Sequence, residues 1–85
     1  MKIDYKKRFT KAFKKLSPKI KDKFFERLEV FIKNKFDETL NNHPVDKAYP
    51  GCRSIDITGD YRAIFSDEGD VVTFITIGTH AQLYK

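Results

Sequence analysis

The spacing of the apolar residues changes once along the chain, near residue 41, and this change most constrains the fold. Before that point apolar side chains recur every three or four residues, which is the spacing of one face of an α-helix. From Cys52 onward, apolar and polar residues alternate, as in a β-strand that buries one face. A chain with helices first and strands afterwards is expected to have the α+β fold class.

Two helices are predicted in the first half. The first has its apolar stripe within residues 5–16. Ser17 can cap a second helix, and Pro18 fits its first position, where no N–H donor is needed. The second stripe runs over residues 20–40, and Pro44 then ends the pattern because proline disfavours helical geometry at the residue before it. We expect the two helices to form an antiparallel hairpin.

Three strands joined by tight turns are predicted in the second half. They span residues 52–57, 61–65 and 71–77, and the third is rich in β-branched residues. The segments TGD and DEGD between them are typical of hairpin turns. Ile3–Tyr5 is a further short extended segment, suited to a sheet edge. The strands should therefore form a small antiparallel meander.

The length allows one small domain, expected over residues 1–85. The N-terminal helical hairpin would pack on one sheet face and leave the other, with Ser54 and Asp56, open to solvent. The lone Cys52 excludes an internal disulfide framework. It reads as a small half-buried hydrophobe in a reducing cytoplasm. The sequence shows neither a signal-peptide pattern nor an apolar run near the ~18 residues of a membrane span, so we expect a cytoplasmic protein without a membrane partner.

Basic residues are concentrated in the helical half. Residues 1–40 hold 13 basic and 6 acidic side chains, a net charge of +7, whereas residues 41–85 hold 4 and 6, a net charge of −2. A lysine-rich, solvated helix face explains this distribution, and so does a surface that binds RNA, DNA or an acidic protein.

The two histidines are the leading candidates for proton transfer, because imidazole ordinarily titrates near neutral pH. His43 precedes a proline and His80 follows Gly78-Thr79. The simpler interpretations make His43 a helix-end residue and His80 a surface loop residue. No helix or strand carries a metal-binding histidine spacing, so we expect no metal and no cofactor.

Further polar and aromatic residues could complete a site for metal-free RNA cleavage. That reaction needs a base for the 2′-hydroxyl, an acid for the leaving 5′-oxygen and cations for the phosphate. Arg53 begins a strand, Asp60 lies in a turn beside Arg62, and Tyr84 could stack on a base. In the simpler interpretations Asp60 only forms the turn, Arg62 pairs with Asp56 or Asp60, and Tyr84 anchors the tail.

Three motifs resemble the RelE/ParE superfamily of toxins from bacterial type II toxin–antitoxin systems, in particular its YafQ-like branch. They are NNHPV at 41–45, YPGCRSIDITGDYRAIF at 49–65 and IGTHAQLY at 77–84. The resemblance implies a microbial RNase fold and a ribosome-dependent endoribonuclease, an mRNA interferase, that cleaves mRNA without metal and inhibits translation.

The resemblance also implies roles for individual residues. The matching positions are His43, Asp60, His80 and Tyr84 as catalytic residues, and Arg53 and Arg62 as phosphate-binding residues. His80 would act as general acid or base, assisted by His43 and Asp60. At Asp56 the chain departs from the YafQ-like pattern, which has a histidine there. An aspartate can accept a proton, so Asp56 is also counted as a catalytic candidate, although at an ordinary pKa near 4 it is a poor general acid.

The resemblance further implies partners. These are a cognate antitoxin protein, with which the chain would form a hetero-oligomer, and the ribosome with its mRNA. Two alternatives come from other functional classes. The same fold serves ParE-like toxins that inhibit gyrase by binding, and Asp56 is compatible with a catalytically weakened binding protein.

Overall fold

A five-stranded mixed sheet carries the helices, and the computed structural model describes residues 1–84. In chain order the elements are β1 (Lys2–Tyr5), α1 (Lys7–Lys14), α2 (Pro18–Lys33), a 3₁₀ turn (Glu38–Leu40), β2 (His43–Pro44), β3 (Arg53–Asp56), β4 (Tyr61–Asp67), β5 (Val71–Thr79) and α3 (His80–Leu83). The strand order is β1-β5-β4-β3-β2, with β1 parallel to β5 and the other pairs antiparallel. The predicted α+β class and three-strand meander are confirmed, and β1 and β2 extend the sheet at its two edges.

The core between α1, α2 and the sheet is built from aromatic rings. Phe24 lies 5.3 Å from Phe9 and 5.4 Å from Phe74 between ring centroids, and Phe31 meets Phe65 edge-on at 5.1 Å. All five rings are buried. Burial of one such ring stabilises the folded state by about 1.5–3 kcal/mol. A few large aromatic rings can therefore form the core of a short chain. None of the helices within residues 1–84 is long and apolar enough to cross a membrane.

Helix α2 ends at Lys33, so the prediction that it runs to Leu40 is wrong. Ser17 and Pro18 begin it as predicted, with Ser17 Oγ accepting from the N–H of Ile20 at 3.4 Å. At its other end Asn34 Oδ1 accepts from the N–H of Phe36, and side chains of this kind compete with helical backbone bonds. The chain turns there and buries Leu40 through the 3₁₀ turn instead.

Two residues counted with the helices lie in strands. The extended segment predicted at Ile3–Tyr5 is confirmed as the edge strand β1, so Tyr5, which was also placed in the first helical stripe, pairs with Phe74 instead. His43 was expected at the end of the second helix, but it lies in β2 and pairs with Ser54 of β3. The physical reason is Pro44, which favours an extended conformation at His43.

The sheet face opposite α1 and α2 is partly covered, which corrects the expectation that it is open. Ser54, Ile64 and Thr76 alternate with the core residues of their strands, yet all three are buried. The loop after β2 and the short helix α3 lie over this face. The predicted C-terminal tail is thus a helix. Its signal in the sequence is Thr79-x-x-Gln82, a capping box.

Candidate active site

An open cavity of about 470 Å³ lies on the sheet face opposite α1 and α2. Strands β2, β3 and β4 provide its floor, and the loop after β2 and helix α3 provide its walls. Its lining residues are His43, Pro44, Val45, Asp46, Lys47, Ala48, Ser54, Arg62, His80 and Tyr84. Four of the seven site residues predicted from the sequence, His43, Arg62, His80 and Tyr84, therefore meet in one cavity.

His43 reaches the cavity with a defined tautomer. Its Nδ1 lies 2.7 Å from the backbone oxygen of Asn41. A carbonyl oxygen only accepts hydrogen bonds, so Nδ1 carries the proton. In the neutral ring, Nε2 then holds a lone pair and can accept a proton. Asn41 presents its carbonyl from a left-handed conformation, with φ of 48°, which asparagine tolerates well.

His80 and Tyr84, at the two ends of α3, form a tilted ring pair. Their ring centroids are 4.7 Å apart, and the N–H of Tyr84 donates to the carbonyl of His80 at 3.1 Å. The helix begins with a capping box, in which Thr79 Oγ1 accepts from the N–H of Gln82 at 3.2 Å and Gln82 Oε1 accepts from the N–H of Thr79 at 2.8 Å. This box fixes the start of α3, and with it the position of the exposed His80 at the cavity wall.

Tyr49 fixes the other end of α3. Its hydroxyl donates to the carbonyl of Leu83 at 2.9 Å, and its ring meets Tyr84 edge-on at 6.1 Å. The Arg8 guanidinium lies 5.6 Å from the centroid of the Tyr49 ring. Tyr49 therefore joins the loop after β2 to α3, the two segments that form the cavity walls.

Arg62 lines the cavity, but its guanidinium already interacts with other groups of the protein. Its Nε is 2.9 Å from Oδ1 of Asp56, its partner across β3 and β4. The contact is an ion pair rather than a directed hydrogen bond, because the buried Oδ1 has no hydrogen-bond partner among residues 1–84. Nη1 donates to the carbonyls of Thr58, Gly59 and Tyr61 at 3.0–3.2 Å. The simpler sequence interpretation, a cross-strand pair with Asp56, thus describes Arg62 in this structure.

Three of the predicted site residues do not line the cavity: Asp56, which pairs with Arg62, and also Arg53 and Asp60. Arg53 alternates with Ser54 along β3 and so points to the opposite sheet face. There its Nε donates to Asn42 Oδ1 at 2.7 Å, and its guanidinium lies 5.4 Å from the centroid of Phe36. Asp60 is exposed in the β3–β4 turn, and its backbone oxygen accepts from the N–H of His80 at 3.1 Å. Asp60 is therefore next to the site, whereas Arg53 is separated from it by the sheet.

The cavity contains three polar residues that the sequence reasoning missed, Asp46, Lys47 and Ser54. Ser54, on its floor, is fully buried, and its Oγ has no hydrogen-bond partner within residues 1–84. Lys47, in the loop, is exposed. The alternation of β3 places Ser54 on the same face as Asp56, which was a usable signal. No local pattern marked Lys47.

Among the described residues 1–84, the cavity lining includes neither Cys52 nor a cluster of metal-ligating side chains. Burial and the nearby Asp46 carboxylate raise the pKa of the Cys52 thiol, which makes it a poor nucleophile. This agrees with its interpretation as a half-buried hydrophobe. Within residues 1–84, no three acidic, histidine or cysteine side chains are grouped as a metal site would require.

Comparisons with known proteins point to one family. The family model described as "Bacterial toxin of type II toxin-antitoxin system, YafQ" matches residues 1–85. YafQ from E. coli strain BL21(DE3) superposes with a TM-score of 0.83 at 23% identity, covering 98% of this chain and 97% of that one. The matched chain of the E. coli DinJ-YafQ complex superposes with a TM-score of 0.78 at 22% sequence identity, and the match covers 98% of this chain and 97% of that one. The matched chain of the RelB-RelE complex from Methanococcus jannaschii superposes with a TM-score of 0.74 at 20% sequence identity, and the match covers 95% of this chain and 94% of that one. No curated protein sequence matches significantly.

Proposed function

The chain belongs to the YafQ family of toxins from bacterial type II toxin–antitoxin systems, and from this premise we propose that it is a ribosome-dependent endoribonuclease that cleaves mRNA and so inhibits translation. The observation that carries the proposal is the meeting of His43 and His80, from β2 and α3, at one open cavity. Two imidazoles at one cavity can supply both a base and an acid near neutral pH.

The proposed reaction is a transesterification within the RNA strand. Neutral His43 accepts the 2′-hydroxyl proton at Nε2, and the 2′-oxygen attacks the adjacent phosphorus. Protonated His80 donates a proton to the 5′-oxygen as the phosphorus–oxygen bond to it breaks. The products are a 2′,3′-cyclic phosphate and a 5′-hydroxyl. The assignment of base to His43 rests on its tautomer, which the Asn41 carbonyl holds.

The remaining site residues have supporting roles in the proposal. Tyr84, whose ring is tilted against that of His80, offers a ring face on which a displaced base can stack. Asp60 holds the backbone of His80 through its carbonyl oxygen. Asp56 keeps Arg62 in place at the cavity floor and offsets its charge. A carboxylate in that pairing serves as an acceptor, not as a general acid.

We further propose an antitoxin and the ribosome as partners, in the cytoplasm. Two of the similar structures are complexes of a toxin with its antitoxin, DinJ-YafQ and RelB-RelE, which supports a hetero-oligomer with a cognate antitoxin. The ribosome would be bound through the lysines of the basic helical half. These are Lys6, Lys7, Lys11, Lys14 and Lys15. Such contacts to phosphates weaken steeply with salt.

The test is induction of the chain in growing cells, beside His80→Ala and the exposed α2 variant Lys19→Ala as a matched control. We expect the wild type and the control to arrest translation and cut ribosome-bound mRNA, and His80→Ala to do neither. Primer extension on a reporter mRNA locates the cuts. Arrest with intact mRNA, accompanied by gyrase-dependent DNA breaks, would instead identify a ParE-like inhibitor.

A further inference from the structure

We propose that Lys47 is the cation that binds the scissile phosphate of the RNA in this cavity. The inference rests on the proposed function and assigns a phosphate subsite within it. A phosphoryl transfer concentrates negative charge on the non-bridging oxygens, and a positioned cation stabilises that charge. The question is which cation of this chain can reach the phosphate.

The two arginines that the sequence suggested are poorly placed for that task. Arg62 faces the cavity, but Asp56 lies 2.9 Å from its Nε and three backbone carbonyls accept from its Nη1. Its charge is offset by Asp56, and both N–H groups of its Nη1 are used. Arg53 is on the opposite face of the sheet, where Asn42 holds its Nε.

Lys47 is the remaining cation among the described residues that line the cavity. Within residues 1–84, Arg62 and Lys47 are the only lysine or arginine side chains in that lining. Lys47 has no carboxylate within ion-pair distance in the part of the chain described, residues 1–84. Its ammonium therefore keeps three donors and a full charge for a ligand.

The loop that carries Lys47 is braced by hydrogen bonds on both sides of it. The N–H of Val45 donates to the carbonyl of Cys52 at 3.0 Å, and the N–H of Tyr49 donates to the carbonyl of Val45 at 2.9 Å. Asp46 Oδ1 accepts from the N–H of Gly51 at 3.0 Å. The Tyr49 hydroxyl then ties the loop to α3. The backbone of Lys47 is thus held beside the cavity, and only its side chain needs to adjust.

The chemistry assigned to Lys47 is that of a point charge. Its ammonium would contact a non-bridging oxygen, while His43 and His80 move protons at the 2′- and 5′-oxygens. Lysine suits this role because an ammonium binds phosphate as a compact charge without a fixed donor plane. Asp56 pairs with Arg62 and holds that side chain in place. Lys47 has no such ionic partner within residues 1–84, so its side chain can move to meet the phosphate.

Single-turnover cleavage of ribosome-bound mRNA tests the assignment with Lys47→Ala, Lys47→Arg and the control Lys19→Ala. We expect Lys47→Ala to slow cleavage about 10²-fold, as loss of a charge-stabilising donor does. Lys47→Arg should recover most of the rate, and Lys19→Ala should match the wild type. An active wild type with an equally active Lys47→Ala would overturn the Lys47 assignment and leave the proposed function standing. An inactive wild type would overturn the proposed function itself.

A binding measurement separates a phosphate contact from a structural effect. The probe is a 2′-O-methyl RNA oligonucleotide, which lacks the attacking hydroxyl and cannot be cut, followed by fluorescence anisotropy over a range of salt concentrations. Losing one phosphate contact to single-stranded RNA should reduce the log–log salt slope by about 0.7. We expect that reduction for Lys47→Ala and not for Lys19→Ala. Identical slopes for Lys47→Ala and the wild type would contradict the proposal.

Discussion

Asp56 Oδ1 lies 2.9 Å from Arg62 Nε across the β3–β4 pair, and Arg62 lines the cavity of the candidate active site. The side chains are 28% and 19% exposed, so solvent screens the pair only in part. Asp56 thereby places a negative charge where the YafQ-like pattern has a histidine. The pairing explains how this chain accommodates an aspartate at that position, because the carboxylate has Arg62 as its ionic partner.

Replacing Asp56 by asparagine should strengthen RNA binding. The change removes a negative charge beside Arg62, whose Nη1 stays held by three carbonyls. We expect tighter binding of a 2′-O-methyl RNA with a steeper salt dependence, and a loss of about 1 kcal/mol in the free energy of unfolding. Anisotropy and urea titration measure the two effects. Asp22→Asn on α2 makes the same charge change away from the cavity, and an equal gain in that variant would contradict a local effect.

Replacing Tyr49 by phenylalanine should loosen α3. The variant loses the hydroxyl that donates to Leu83 at 2.9 Å, a bond contributing about 1 kcal/mol. The N–H of Tyr84, which bonds to His80, should exchange with solvent faster, and cleavage should slow because His80 and Tyr84 move with that helix. Hydrogen exchange read by NMR checks this. Tyr61→Phe is the control, since within residues 1–84 its hydroxyl donates no hydrogen bond. Unchanged protection in Tyr49→Phe would show that other contacts hold α3.

Replacing Ser54 by alanine should not destabilise the fold, although the residue is fully buried. Its Oγ has no hydrogen-bond partner within residues 1–84, so the variant removes a buried hydroxyl that stays unpaired in the folded state. We expect the free energy of unfolding to stay equal or rise. Ile64→Ala, at the facing position of β4, should by contrast cost about 2–5 kcal/mol. Urea titration compares them, and a loss above about 1 kcal/mol in Ser54→Ala would reveal a hydrogen bond to that hydroxyl.

The ion pair between Lys35 and Asp67 should make stability depend on acid pH. Lys35 Nζ donates to Asp67 Oδ2 at 2.7 Å, and this bond, with the N–H of Gly69 and nearby positive charge, holds the pKa of Asp67 below its ordinary 3.8. A depressed folded-state pKa adds stability above pH 3.8, and that stability is lost as the pH falls through the depressed value.

Asp67→Asn isolates this contribution, because asparagine can still accept from the N–H of Gly69. We expect the variant to be about 1 kcal/mol less stable at pH 7, with the difference closing as the pH falls below 3.8. Thermal unfolding across pH 2–7 measures it. A constant difference over that range would mean that the carboxylate charge contributes nothing.

The sequence by itself determined the fold class and most of the elements. The 3.6-residue and two-residue spacings of apolar side chains act within each segment, so they predicted two helices, a meander and a β1 segment. Ser17 and Pro18 located the start of α2 because helix capping also depends only on neighbouring residues. The motifs of residues 41–84 also identified the family.

Only the tertiary structure decided which residues share the cavity. The competition between Asn34 and the helix backbone ended α2 early, and the extended conformation at His43 made that residue a strand partner of Ser54. Contacts with Asn42 and Phe36 engaged Arg53 away from the site, and the pairing with Asp56 occupied Arg62. A loop fold brought Lys47 to the cavity. Contacts between residues distant in the chain depend on how the elements pack, and no local spacing records them.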